Sequence, residues 1–229
     1  MEAERPTLLD LFCCEGGAAM GYHRAGFRVV GVDKLDQPNY PFEFHQADAI
    51  EYVREHGHKF DVIHASPPCQ AHSTITPDKS KHVDLIPATR AALLDVGRPY
   101  VIENVEGAKR ALLDPVRLCG SSFGLGVRRH RYFESSVHLW SMSCMHETQG
   151  RPIGVYGGDH PQNQGEYRRP DGTRRGDKAT TLDSAREAMG MPWASWHGTT
   201  QAIPPAMTEF IGHQLIESLC TVSSELESA

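Results

Sequence analysis

Short apolar runs alternate with stretches of helical periodicity along the first half of the chain. Thr7–Phe12 (TLLDLF) reads as a buried strand, followed by a glycine-bearing turn and a helix over Gly17–Ala25. Arg28–Asp33 (RVVGVD) predicts a second strand and Phe42–Gln46 a short third. Ala49–His56 predicts a helix, and Phe60–Ala65 (FDVIHA) a fourth strand that runs into Ser66-Pro67-Pro68. Leu85, Ile86, Ala88, Ala91, Ala92 and Leu94 mark a further helix, and Tyr100–Asn104 a fifth strand. Strands that are continuous apolar runs, each separated from the next by a helix, indicate a parallel sheet covered on both faces, a Rossmann-like α/β architecture.

The pattern then changes. From Ser143 to Asp183 glycine, proline, arginine and asparagine replace the apolar periodicity, which predicts a loop-rich insertion without a core of its own. Pro205–Leu219 is amphipathic and reads as a helix opened by Pro204-Pro205, with a frayed tail from Ser223. The expected organisation is a catalytic and cofactor-binding domain over 1–140 and a short recognition-like insertion over 141–183. Residues 184–222 are expected to pack back on the domain, and 223–229 to form the tail. A length of 229 residues suits one such domain.

No apolar run is long enough to span a bilayer, and the charged start lacks the features of a signal peptide, so a cytoplasmic, intracellular protein is expected. The six cysteines (13, 14, 69, 119, 144 and 220) show no small-domain disulfide spacing, which directs attention to their chemistry. The net charge of −6 argues against coating nucleic acid by bulk electrostatics, so phosphate contacts must come from local clusters.

Candidate chemistry gathers where strands end. Asp10-Leu11-Phe12-Cys13-Cys14-Glu15-Gly16-Gly17 lies at the first strand-to-helix turn, where small residues let the backbone approach a ligand; a tight turn without a ligand has the same pattern. Asp33 ends the second strand, where a carboxylate can accept from ribose hydroxyls. Asp48 can accept from an adenine amine or simply cap its helix, and Phe12 could stack on the same ring. Cys69, in Pro67-Pro68-Cys69-Gln70, follows the fourth strand directly and stands in the crevice at the carboxyl edge of the sheet. Glu103 ends the fifth strand on the same edge, as a candidate acid or base contact. Arg128, Arg129 and Arg131 cluster before a strand at Tyr132-Phe133, suiting phosphates and a pyrimidine carbonyl, or forming a solvated basic turn.

These motifs in this order, from about Leu8 to Leu215, resemble the cytosine-5 DNA methyltransferase family, in a compact form most similar to bacteriophage-encoded members. The resemblance implies a class I methyltransferase sheet. It implies S-adenosyl-L-methionine as cofactor, held by Asp10, Phe12, Cys13, Cys14, Glu15, Gly16, Gly17, Asp33, Lys34, Asp48, Ala49, Pro67, Gln201 and Ala202. Cys69 is then the nucleophile, Glu103 the acid at the cytosine ring, Arg129 the support for its carbonyl oxygen, and Arg131 the second paired arginine. DNA is the expected partner, without an obligatory protein partner, through Gln70, Ser73, Arg128, Arg168, Arg169, Arg174 and Arg175. Arg186-Glu187-Ala188-Met189-Gly190 and Ala202-Ile203-Pro204-Pro205 match the last two blocks. Three departures from the family pattern stand out: Cys14 replaces a glycine, Val127 a glutamine, and Thr200-Gln201 a glycine-asparagine pair.

Rival readings keep the chemistry on a tRNA cytosine or a free pyrimidine nucleotide, or make the chain a non-catalytic cofactor- or DNA-binding module. A nicotinamide oxidoreductase shares the first loop but leaves the proline-flanked cysteine unexplained. A zinc site from Cys119, His130, Cys144 and His146 is conceivable, but the spacing is irregular, and no metal is expected.

Overall fold

A computed structural model describes residues 5–74, 76, 78–157 and 177–227, with side chains up to residue 221. Its elements in chain order are β1 (Thr7–Leu11), α1 (Gly17–Ala25), β2 (Arg28–Asp33), β3 (Glu43–Gln46), α2 (Ala49–His56) and β4 (Val62–Ala65). Then come α3 (Ile86–Val96), β5 (Tyr100–Asn104), β6 (Val116–Cys119) and β7 (His130–Ser135). The last are β8 (Ile153–Gly154), β9 (Asp177–Lys178), α4 (Leu182–Met189), α5 (Trp196–Gln201) and α6 (Pro205–Glu227).

Seven strands form one sheet in the order β3-β2-β1-β4-β5-β7-β6. The chain winds outward from β1 through β2 to β3, then returns to β4 on the other side of β1, so the direction of winding reverses between β1 and β4. In open α/β sheets ligands bind in the crevice that such a reversal opens at the carboxyl ends of the strands. The first five strands pair in parallel, as the apolar runs predict. The far edge departs from that expectation: β7 runs antiparallel to β5, and β6, which the periodicity does not announce, runs antiparallel to β7. A hairpin needs only a short connection, whereas a parallel addition would need a crossover helix that the sequence between Asn104 and His130 lacks.

Alternate residues of each strand feed two apolar layers. Leu8, Val29, Val62, Val101 and Phe133 face α1 and α6, while Leu9, Leu11, Val30, Ile63 and Ile102 face α2 and α3. Helices α1 and α6 cross closely because each presents a glycine to the other: a Cβ on Gly21 would run into the Thr208 side chain, and one on Gly212 would lie 2.6 Å from Ala25 Cβ. Helix α6 continues to Glu227, past the point at which fraying is expected. A third, small apolar cluster joins Val127, Val155 and Ala179 to Ala185, Met189, Trp196 and Ala202, so both described ends of the stretch 143–183 pack against the C-terminal helices.

Candidate active site

The loop after β1 is held in an unusual conformation. Phe12 (φ 59°), Cys14 (φ 44°) and Gly16 (φ 78°) all have left-handed backbone, which costs little at glycine but about 1–3 kcal/mol at an ordinary residue. The surroundings over-determine it. Cys13 N–H donates to the Val32 carbonyl, and Cys14 N–H to Asp33 Oδ2 at 3.1 Å. A Cβ on Gly16 would meet Pro41 at 2.8 Å, and one on Gly17 the Ile203 carbonyl oxygen at 2.5 Å. Glu15, expected at the cofactor, instead has its carboxylate taken up by protein: Ser195 N–H and Oγ and Asn39 Nδ2 all donate to it, which fastens the loop to the start of α5.

Asp10 lies beneath this loop, 1% exposed, with no well-aligned hydrogen bond to either carboxylate oxygen and only a weak pull from the Ala19 N–H. Burial, reinforced by the Asp33 carboxylate, raises its pKa well above the ordinary carboxylate range. An unpartnered buried carboxylate costs free energy unless a donor or cation comes to it. Asp33, at the end of β2, accepts from Cys14 N–H through one oxygen and from Leu35 N–H at 3.0 Å through the other. Asp48 caps α2: its Oδ1 accepts from the N–H groups of Ile50 and Glu51 at 2.9 and 3.0 Å, which realises the capping alternative. Lys34 is exposed, while Ala49 is buried as the first residue of α2.

Ser66 N–H donates to the Leu11 carbonyl, which sets the loop after β4 beside the loop after β1. Asn104 Nδ2 donates to the Pro67 carbonyl at 2.9 Å and fixes the proline pair from the end of β5. The Cys69 carbonyl accepts from the N–H groups of His72 and Ser73, closing a turn that leaves the thiol in a cleft of about 850 Å³. Ser73, Val105, Arg128, Arg129, Arg131, Tyr156 and Gln201 are among the other lining residues. Burial and the Glu103 carboxylate push the Cys69 thiol up, while Arg131 and Arg129 pull it down. Burial lifts the Cys13 and Cys14 thiols as well, Cys14 to about 12, and neither lines the cleft.

Glu103 is 5% exposed, and burial raises its pKa against the opposing pull of Arg131, of a hydrogen bond from Ser66, and of Arg129. Arg131 Nε lies 2.9 Å from Glu103 Oε1, a close ion pair without hydrogen-bond alignment, so that oxygen keeps an unused lone pair. Behind Ser66 stands a group that the sequence pattern hides inside an apolar strand. His64 is fully buried, with Nε2 2.8 Å from Ser66 Oγ and Nδ1 2.9 Å from Tyr22 Oη. Burial lowers its pKa to about 3, so the ring is neutral. With Ser66 donating to Glu103, one direction satisfies the whole series: Tyr22 donates to His64, His64 Nε2–H to Ser66, and Ser66 to the carboxylate.

The paired arginines divide their work differently from the expectation. The Arg129 guanidinium donates to the carbonyls of Thr199, Thr200, Ala202 and Val155, tying the C-terminal segment to the cleft wall. Both of its terminal nitrogens are engaged with backbone, and Arg131 is the arginine beside Glu103. The Ala202 carbonyl is occupied by this contact. Arg128 is exposed at the rim, its Nε donating to Gln149 Oε1 at 3.2 Å. Gln70 is half-buried in the turn after Cys69. Arg168, Arg169, Arg174 and Arg175 lie outside the described residues.

No protein-family model and no curated protein matches the sequence. Solved structures do match the fold. A prophage-encoded chain of E. coli assigned as a DNA modification methyltransferase has a TM-score of 0.60 at 15% identity, covering 93% of this chain and 99% of that one. The S. pombe Dnmt2 methyltransferase gives 0.58 at 12% identity, covering 94% and 99%. The Entamoeba histolytica methyltransferase EhMeth gives 0.62 at 10% identity, covering 95% and 99%. The Rossmann-like methyltransferase fold expected from the sequence is thus the fold of this chain. Among the described residues no helix is long and apolar enough to cross a membrane.

Proposed function

We propose that this chain transfers a methyl group from S-adenosylmethionine to carbon 5 of a cytosine in DNA through a covalent adduct on Cys69. The observation that carries the reading is the convergence of Cys69 and Arg131, which line one cleft, with Glu103 buried behind them against Arg131; they come from the ends of β4 and β5 and the start of β7.

The residues fit the cofactor. The Asp10 carboxylate, poorly satisfied by protein groups, calls for a donor or cation, and Asp33 retains lone pairs for ribose hydroxyls. The left-handed loop keeps backbone close to the space above Asp10, and Phe12 is half-buried at its edge. When bound, S-adenosylmethionine supplies an electrophilic methyl group.

Carbon 5 of cytosine is too weak a nucleophile unaided, so the Cys69 thiolate adds to carbon 6 and the ring electrons move toward nitrogen 3 and the carbonyl oxygen. Glu103, held towards its protonated form by burial, donates to nitrogen 3, and Arg131 stands beside the growing charge. The resulting enamine is nucleophilic at carbon 5. After methylation, loss of the carbon 5 proton to a base expels the thiolate and restores the ring. In duplex DNA the target base must leave the stack to reach Cys69. Arg128 at the rim supports phosphate contact.

The test is to incubate the protein with methyl-labelled cofactor and with DNA, RNA or free nucleotides in parallel, then to repeat with 5-fluorocytosine in the acceptor. A covalent adduct on Cys69 with labelled DNA is expected. Label in RNA or nucleotide alone would move the same chemistry to another substrate, and an adduct on Cys13 or Cys14 would refute the assignment of the nucleophile.

A further inference from the structure

Cys119 ends β6 and His130 begins β7, and the antiparallel register places these two residues directly opposite one another. Cys144 and His146, two residues apart, approach the same point from the segment that follows the sheet. Cys119 Sγ lies 3.2 Å from His146 Nε2, and Cys144 Sγ lies 3.5 Å from His130 Nε2. One donor atom from each of the four residues falls within 4.8 Å of all the others. The two imidazoles are stacked, with centroids 5.4 Å apart.

We propose that these four side chains bind one zinc ion in a closed structural site. Two thiolates and two imidazoles are the donor set of tetrahedral zinc, and bond lengths of about 2.3 Å to sulfur and about 2.0–2.1 Å to nitrogen place neighbouring donors roughly 3.3–3.8 Å apart. Both sulfur–nitrogen pairs are within a few tenths of an ångström of that spacing, and the widest pair closes by about an ångström. Two thiolates balance the charge of the ion. Four protein donors leave no open position, so the ion holds structure and takes no part in methyl transfer.

Ser121 Oγ lies 3.0 Å from Cys119 Sγ and accepts from Met145 N–H at 3.0 Å. Ser122 Oγ donates to the Ser143 carbonyl, and Gln149 Nε2 to the carbonyls of Leu125 and Val127. These bonds lace residues 143–149 onto the loop between β6 and β7, which bears Arg128 and Arg129 and leads into Arg131. His146 itself lines the cleft that holds Cys69. Zinc would thus clamp the start of the insertion to the arginine-bearing wall of that cleft, a role independent of which substrate enters it. A disulfide between the two cysteines would leave the paired imidazoles without a purpose.

The test uses the whole chain purified under reducing conditions, the variants Cys144→Ser and His146→Ala, and zinc alone as ligand. Cys144 and His146 are only partly buried, unlike the fully buried Cys119, so these variants perturb the core least. Elemental analysis is expected to find one zinc per wild-type chain and loss of stoichiometric zinc in both variants. Stripping the metal should lower the thermal midpoint, and returning zinc to a hundredfold excess over its dissociation constant should restore about 5–10 °C. Neither variant should respond. Cobalt in place of zinc should give the visible absorption of a tetrahedral dithiolate site, which reads the wild type directly even if a variant does not fold. A wild-type protein without zinc that ignores added zinc would overturn the proposal, as would stoichiometric zinc retained in both variants or cobalt bound without thiolate absorption.

Discussion

Arg129 provides a sharp separation of structure from chemistry, because its guanidinium spans four backbone carbonyls from two segments: Val155 in the insertion, and Thr199, Thr200 and Ala202 in the C-terminal part. Arg129→Lys keeps the charge but offers three donors from a single point, so at least one carbonyl loses its partner. A hydrogen bond to a charged group contributes about 1.5–3 kcal/mol. Losing one such bond should therefore lower the thermal midpoint by roughly 3–12 °C at about 2–4 °C per kcal/mol for a chain of this size. Arg129→Met removes all the donors and should cost at least about 4 kcal/mol, comparable with the whole stability of a marginal domain. Arg131→Met should do the opposite. It leaves Glu103 buried without its nearest cation and removes the positive charge beside it in the cleft, so single-turnover methyl transfer falls by orders of magnitude while denaturation shifts less. The assay pairs urea denaturation with single-turnover transfer under saturating cofactor. If Arg129→Lys were as stable as the wild type but lost the chemical step, the carbonyl clamp would be the wrong account and Arg129 would act on the substrate.

Cys69→Ser should abolish turnover while leaving cofactor affinity within a few-fold, since an alcohol supplies no comparable nucleophile near neutral pH; calorimetry beside the transfer assay checks both halves. Ser66→Ala removes a hydrogen bond that favours the Glu103 carboxylate, so Glu103 stays protonated to higher pH. Glu103 titrates below Cys69 and sets the acid edge of the kcat/KM profile, which should move upward; an edge that does not move would break the link between Ser66 and Glu103. Asp10→Asn should stabilise the chain alone and weaken cofactor binding. The raised Asp10 pKa means that the folded state holds its proton more tightly, so the wild type loses stability as pH rises from the unfolded-state value to the folded one. Melting curves should thus show the variant gaining on the wild type with rising pH, and a gap that did not vary with pH would remove the argument.

How much of this was legible beforehand depended on whether a residue acts through its place in a local pattern or through a partner far along the chain. Helices α1 and α2 and strands β2 and β5 begin and end where their periodicity says, because each is a continuous buried run or amphipathic stretch bounded by glycine, proline or aspartate. Strand β6 escaped because its residues, VRLC, carry too little pattern to separate a strand from a loop. The cluster of Cys69, Glu103 and Arg131 was readable because all three stand at strand ends on one edge of the sheet. The division between Arg129 and Arg131 was not, since it rests on carbonyls some 70 residues later in the chain. His64 was hidden for a related reason: inside FDVIHA it reads as one more buried position, and only the pairing of β1, β4 and β5 brings Tyr22, Ser66 and Glu103 into line with it.

The four-residue cluster at Cys119 carries the same point furthest. Zinc sites are usually read from two donors a few residues apart, which form a knuckle by local backbone geometry alone. Here Cys119 and His130 are separated by the whole loop between two strands, and the antiparallel register does what the short spacing does elsewhere. Only Cys144-Met145-His146 is local. A spacing rule scores such a set as irregular because it measures distance along the chain, while the ion responds to distance in space. The same physics bears on the cleft. Parallel strands β1 to β5 place the loop after β1 and Cys69 from one side, and the antiparallel arm β6–β7 closes the other side with its arginines. An added hairpin has no helix of its own to hold it, so its outer end needs a tether. The two cysteines and two histidines stand at that end, and the segment they would clamp leads directly into Arg151, Ile153 and Val155 on the wall facing Cys69.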